Sequence, residues 1–455
     1  MPPAERMAKM KYKLRAYPDD YRKQVPKMRT ISRRPIVLHL LFFMGSVFAG
    51  LGLLIAVSFL PQQPIFENIG ESLQILYNTG VHPKIFDYSD ASILDQCTDI
   101  AMLRASAATT SGYIGSVLTN PMYMFGHGID LGCAECLDLF INGYAHDDVY
   151  FYTQYWMGFR VLLRPLLTVL SYFQIRRYFG FAVLLLFAWL VCDISKNLDH
   201  KVAFCFALSF ILVRPQIVVN TIQYSVCFLI AFTAMVFIPW LSRHPKFETL
   251  FFMELGILTM YFDFYTVPII TLGLPLIYLY CIRAAAGDGL SKKSVALIFL
   301  SWFAGYVFMW LAKLSLTSLL TSVDGLSNGL GSFASRVGLS KNPDLLQYYS
   351  VSLAFRALMN TLASDREGGV IILLGLLALA VTGIVQFRKR GLSAESFRHN
   401  RTLLLIAGVP LIWFAVAAQP TAIHSWFQYR SVAMTYWALG VYITYVFRGG
   451  ALRKA

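Results

Sequence analysis

The chain has 455 residues, 57% of them hydrophobic and 15% aromatic, with only 14% charged. Soluble domains carry about a quarter charged residues, so this composition excludes one and indicates an all-α polytopic membrane protein. The formal charge of +14 does not indicate nucleic acid, because Lys and Arg gather in short segments between apolar runs, with no base-stacking motif beside them.

Residues 1–35 read as a basic cytoplasmic tail lying near anionic lipid; "RKQVPKMRTISRR" is too long and too charged for the positive region of a cleaved signal. A first transmembrane helix follows at 36–60, then a long loop at 61–176 with juxtamembrane helices. Transmembrane helices fill 177–318, a second loop spans 319–368, C-terminal transmembrane helices occupy 369–447, and 448–455 is a second basic tail. A helix needs roughly 20 apolar residues to cross the hydrocarbon. The candidates are 36–60, 177–195, 202–219, 222–241, 248–263, 264–283, 294–318, 369–387, 402–419 and 428–447, about ten in all.

Ten crossings put every basic segment on one side: both tails, "KNLDHK", "SRHPK", "IRAAAGDGLSKK" and "RKRGLSAESFRHNR". The opposite, extracytoplasmic side receives 61–176, "RPQIVVNTIQYS", "FDFYTVP", 319–368 and "QPTAIHSWFQYR". Asp263 and Pro268, in the middle of the apolar run 248–282, mark the tip of a helical hairpin. The stretch 156–177 is apolar yet holds Arg160, Arg164, Arg176 and Arg177, and it reads as an interfacial helix on the outer leaflet.

Within the first loop, "ENIGESLQILYNTG" predicts a helix capped by Asn68, with Glu71 completing a capping box and Gly80 ending it. In "SILDQCTDIAML", Ser92 and Asp95 fit a cap pattern, and Asp99 could cap a helix starting at Ile100. "CAEC" at 133–136, with Cys97 as a third thiol nearby, suits a disulfide on the oxidising side better than half a zinc site. Glu254 and Lys313 are intramembrane ionisable residues, and they either carry function or pair with each other or with the backbone.

The outer segments hold the chemistry. Glu67, Asp95, Asp99 and Asp263 are the candidate catalytic carboxylates, since a carboxylate can take the proton of an acceptor hydroxyl while a sugar–phosphate bond breaks. Arg160 and Arg164, one helical turn apart, are the candidate phosphate ligands together with Lys313, His424 and Arg430. No metal site is assigned, although a carboxylate set such as Glu67, Asp95 and Asp99 could bind a divalent cation through oxygen.

"ENIGESLQILYNTGVHP" resembles the acidic motif of the GT-C class of membrane glycosyltransferases, with Glu67–Asn68 where that class has an acidic pair. "LDQCTDIAML", "YWMGFRVLLRPLL", "NTIQYSVCFLI", "YFDFYTVPIITLGLPL", "SWFAGYVFMWLAK" and "HSWFQYRSVAMTYWA" look like segments of a bacterial multi-span family of GT-C type, from residue 36 onward. The resemblance implies a transferase moving a sugar from a polyprenyl-phosphate carrier to a cell-envelope glycan or glycolipid. It also places Asp95, Asp99, Asp263, Lys313 and Arg430 in recurrent motifs. A lipid-linked sugar transporter or flippase, or a glycan polymerase or ligase, are the alternatives; no internal repeat of the transporter kind is visible.

Overall fold

The computed structural model describes residues 33–108, 113–126, 131–287, 289–339, 349–364, 370, 374–375, 377–378, 380–381, 384–385, 388 and 394–446. The tails 1–32 and 447–455 and most of the expected span 369–387 lie outside these residues. The described residues fall into two compact units, one ending at Phe42 and the other starting at Phe43. The second unit holds every described element beyond the opening turns of the first helix.

The described chain is mostly helical. Helix α1 spans Arg33–Ser58, α2 Gln62–Thr79, α3 Gln96–Ala107 and α4 Tyr113–Thr119. Strand β1 (Pro121–Met124) pairs antiparallel with β2 (Asp148–Phe151) around α5 (Cys133–Ile141), giving the loop a small ribbon that its sequence pattern does not announce. Then come α6 (Arg160–Leu167), α7 (Tyr172–Asn197), α8 (His200–Ile211), α9 (Pro215–Val218), α10 (Ile222–Leu241), α11 (Glu248–Phe262) and α12 (Ile270–Ala285). The chain continues through α13 (Lys292–Leu320), α14 (Gly325–Arg336), α15 (Val351–Ser364), α16 (Ala394–Val416), α17 (Ala418–Ile423), α18 (Ser425–Gln428) and α19 (Val432–Val446).

Among the described residues, four helical stretches are long and apolar enough to cross a membrane: Ile36–Ser58, α7, α10 and α13. Three shorter apolar helices, α8, α12 and Arg401–Val416, accompany them. The apolar middle of helix α7 has two faces. Val183, Leu190 and Ile194 are buried in protein, while Phe181, Leu185 and Trp189, one turn apart, are exposed. Helices α11 and α13 approach at backbone distance, because a Cβ on Gly256 would strike the Trp302 carbonyl and one on Gly305 the Met253 carbonyl.

The expected hairpin is present, with α11 ending at Phe262 and α12 starting at Ile270. Asp263 makes its tip by accepting from Thr266 N at 3.1 and 3.0 Å and from Thr266 Oγ1 at 2.6 Å, with Tyr265 left-handed at φ 64°. Other local expectations need correction. Helix α2 starts at Gln62, six residues before Asn68, so there is no capping box there; Asn68 instead donates to the Pro64 and Leu167 carbonyls. Gly80, at φ 75°, does end it.

The 156–177 stretch is not one interfacial helix. It breaks at residues 168–171 into α6, whose Arg160, Leu163, Arg164 and Leu167 are buried, and the first turns of α7, which carry Arg176 and Arg177. Among its described residues, the 319–368 loop holds the helices α14 and α15. The disulfide joins Cys97 to Cys133, with Cα atoms 5.8 Å apart, and leaves Cys136 free and buried. "CAEC" sits on α5, where residues three apart share a helix face and Cys133 turns toward α3.

The segments that the charge pattern puts on one side do converge. Arg430 donates to the Ala91 carbonyl, Asp90 N to Ser364 Oγ, and Gln428 Nε2 to the Tyr265 carbonyl. Arg336 donates to Tyr155 Oη, while Asp99 receives hydrogen bonds from the start of α10. Residues from both long loops, the hairpin tip and the 417–431 segment thus build one polar layer.

Candidate functional site

That layer encloses a cavity of about 450 Å³. Its walls come from α3 (Cys97, Thr98), from Tyr152 and Tyr155 after β2, from Gln223 in the first turn of α10, and from Phe264 and Tyr265 at the hairpin tip. Ser332, Ser335 and Arg336 of α14, with His424 and Phe427, close the other side.

Two carboxylates fix these walls. Asp95 caps α3, accepting from Thr98 N at 3.0 Å and Thr98 Oγ1 at 2.9 Å. Asp99 lies one turn further along α3 yet serves a different helix. It accepts from Ile222 N at 3.0 Å, Gln223 N at 3.1 Å and Tyr172 Oη at 2.7 Å, and so caps α10 across the packing interface. It does not line the cavity, and burial raises its pKa to about 6.

Asp95 is the carboxylate with a chemical partner. His82 Nε2 stands 3.5 Å from its Oδ1, and the His82 ring meets Trp426 edge-on. Burial alone would raise the Asp95 pKa, but the bonds from His82 and Thr98 and the neighbouring Gln223 amide outweigh it and hold the carboxyl below its usual range. A carboxylate kept ionised against an imidazole is a proton-accepting pair.

The cavity's cation is one the sequence did not single out. Arg336 lies over the rings of Tyr155 and Tyr265, 5.4 and 5.0 Å from their centroids, and donates to Tyr155 Oη at 2.7 Å. Among the described residues no carboxylate pairs with it. A guanidinium lying over aromatic faces with no acidic partner has the chemistry to take an anion.

The arginines singled out by spacing are spent on structure. Arg160 donates to the carbonyls of Val117 (3.0 Å) and Met157 (3.2 Å) and to Asn120 Oδ1 (2.8 Å). Arg164 joins the Val57 and Leu60 carbonyls, in the last turn of α1 and just beyond it, to the Ser106 carbonyl at the end of α3. Burial lowers both guanidinium pKa values to about 10, which leaves them charged at neutral pH. Neither lines the cavity.

Lys313, fully buried on α13, donates to the Leu118 carbonyl and closes the end of α4. It does not pair with Glu254, which accepts from Ser46 Oγ at 3.1 Å. Arg430 is fully buried between Tyr224 and Tyr429, bonded to the Trp426 and Ala91 carbonyls. Glu67 is exposed and accepts from Gln63 on its own helix, away from the cavity. Buried Asp263 holds the hairpin tip that presents Phe264 and Tyr265, and burial raises its pKa. His424 does line the cavity; burial lowers its pKa, and its Nδ1 has no hydrogen-bond partner.

Of the nine candidates, then, His424 lines the cavity and Asp95 borders it through Thr98, while the others support the walls or lie elsewhere. Gln223, Tyr152, Tyr155 and Arg336 emerge only from the fold. No grouping of three or more His, Cys, Asp or Glu side chains among the described residues is arranged to hold a metal ion. Comparison of the chain with protein-family models, with curated proteins and with solved structures finds no match.

Proposed function

We infer that the protein is a membrane glycosyltransferase of GT-C type, with about ten transmembrane helices and an extracytoplasmic active site. In this reading it moves a sugar from a polyprenyl-phosphate carrier to a cell-envelope glycan or lipid. The observation that carries the reading is a cavity lined by Arg336, which has no carboxylate partner among the described residues, and by Thr98, which hydrogen-bonds the Asp95 of the Asp95–His82 pair. Arg336 holds the carrier phosphate and stabilises the charge it gains as leaving group. The acceptor oxygen bonds to the sugar's anomeric carbon as the carbon–oxygen bond to phosphate breaks. The phosphate leaves with that electron pair, and the acceptor's proton passes to His82, backed by Asp95. Aromatic rings on the wall suit the apolar face of a sugar.

The placement of the site is supported by the basic segments on the opposite side and by the Cys97–Cys133 disulfide, a bond that persists on the oxidising side of a membrane.

The test is sugar transfer in proteoliposomes, comparing a polyprenyl monophosphate donor with a diphosphate donor. The reading expects transfer from the monophosphate, abolished by Arg336→Ala. Transfer from the diphosphate alone would favour a polymerase or ligase. Movement of intact lipid-linked sugar between leaflets without transfer would favour a flippase.

A further inference from the structure

The Gln223 side chain is 2% exposed and lines the cavity, yet neither its Nε2 nor its Oε1 finds a hydrogen-bond partner. It lies beside Asp95 and helps keep that carboxyl ionised, but its geometry completes no bond there. On the lining of the same cavity, His424 Nδ1 is also buried and unpartnered, and its ring stacks on Phe427 at 5.1 Å. Leaving a buried polar group unmet is costly, so two such side chains on the lining of one cavity indicate a polar occupant.

We propose that Gln223 and His424 form a hydroxyl-reading subsite that selects a sugar with a free vicinal diol. A carboxamide offers a donor and an acceptor side by side, the pattern that two adjacent hydroxyls complete by accepting and donating in turn. His424 takes a further hydroxyl through Nδ1. Phe264, Tyr155 and Phe427 supply flat apolar walls for the ring's carbon–hydrogen faces. Asp99 has a positioning role here, since its bond to Gln223 N fixes the turn from which the carboxamide projects. The proposal names the substrate class of the transferase reading and rests on it for its biological meaning. Sugar binding itself can be measured without transfer.

The experiment uses full-length protein in detergent and saturation-transfer NMR with methyl glucoside, methyl mannoside and methyl galactoside. The 3-deoxy analogue of the best binder follows, because losing the 3-hydroxyl removes both vicinal pairs. The expected result is saturable binding of at least one glycoside, weakened roughly threefold to tenfold in the 3-deoxy analogue. In Gln223→Leu the two should bind equally weakly, and His424→Ala should weaken both sugars alike. Leucine keeps the buried volume and the backbone bond to Asp99, so thermal unfolding should stay at or above that of the parent. No saturable signal in the parent protein, or an unchanged preference in Gln223→Leu, overturns the proposal and leaves water as the occupant. Farnesyl phosphate, titrated separately, reports on Arg336. Glycoside binding without farnesyl phosphate binding sinks the lipid-phosphate donor and keeps the sugar subsite.

Discussion

Asp99 and Gln223 are 124 positions apart in sequence, yet the Asp99 carboxylate accepts the Gln223 backbone N–H at 3.1 Å. That one bond ties the first long loop to the start of α10 and sets the cavity wall.

Replacing Asp99 with Ala leaves the Ile222 and Gln223 N–H groups and the Tyr172 hydroxyl without their acceptor. At roughly 1–3 kcal/mol for each stranded buried group, the expected outcome is a large fall in thermal stability in detergent. A parent-like melting temperature would remove Asp99 from its role as the cap of α10.

The pH dependence of this site has a definite sign. Burial lifts the Asp99 pKa to about 6, above the ordinary value of about 4, so the folded state binds that proton more tightly than the unfolded chain. The resulting stabilisation is complete below the unfolded pKa and is lost as pH rises through the folded one. Asp99→Asn mimics the protonated form. The stability of the parent relative to Asp99→Asn should therefore decline between pH ~4 and just above pH ~6 and then level off. Melting temperatures across that window test it, and a flat difference would contradict the shift.

Asp95 should behave oppositely. Asp95→Asn keeps a capping oxygen for Thr98, so stability should fall by about 1 kcal/mol or less. Loss of the ionised partner of His82 should instead cut sugar transfer by roughly 10²–10⁴-fold. Near-normal turnover in well-folded Asp95→Asn would leave capping as its whole role.

Arg164→Lys separates a phosphate ligand from a structural strut. Arg164 serves three carbonyls from two segments, a fork that a single ammonium does not reproduce. The expected outcome is a lower melting temperature with donor affinity unchanged in the fraction that stays folded. A selective tenfold loss of donor binding, about 1.4 kcal/mol, at unchanged stability would return the phosphate to α6.

These roles show what sequence pattern conveys and what it does not. The cap at Asp95, the stop at Gly80 and the hairpin tip at Asp263 are legible because cause and effect lie within a few residues. The i, i+4 spacing of Arg160 and Arg164 reports a shared face correctly but not what that face meets, which is backbone carbonyls. Arg336 is hidden because "GLSNGLGSFASR" reads as an ordinary loop, and its aromatic neighbours Tyr155 and Tyr265 come from two distant segments. Cys97 pairs with Cys133 for the same reason: the partner lies 36 positions away, while Cys136, nearer to Cys133 in sequence, stays free and buried.

The outer-face chemistry depends on sidedness, which a single cysteine can report. Ala145 is exposed on the turn between α5 and β2, so a cysteine there meets whichever solvent bathes the cavity side. Among the described residues the exposed free cysteine is Cys192, on α7, and Cys192→Ser removes it as background. Intact cells carrying Ala145→Cys should react with a membrane-impermeant maleimide at once, with little gain on lysis. The basic segments would then all lie on the other side, as positive charge demands of cytoplasmic loops. The Cys97–Cys133 bond would stand where disulfides survive, and it should protect both thiols from alkylation until a reductant is added. Labelling that appears only after lysis would turn the molecule over, and it would place Arg336, Asp95 and His82 where no extracytoplasmic acceptor can reach them.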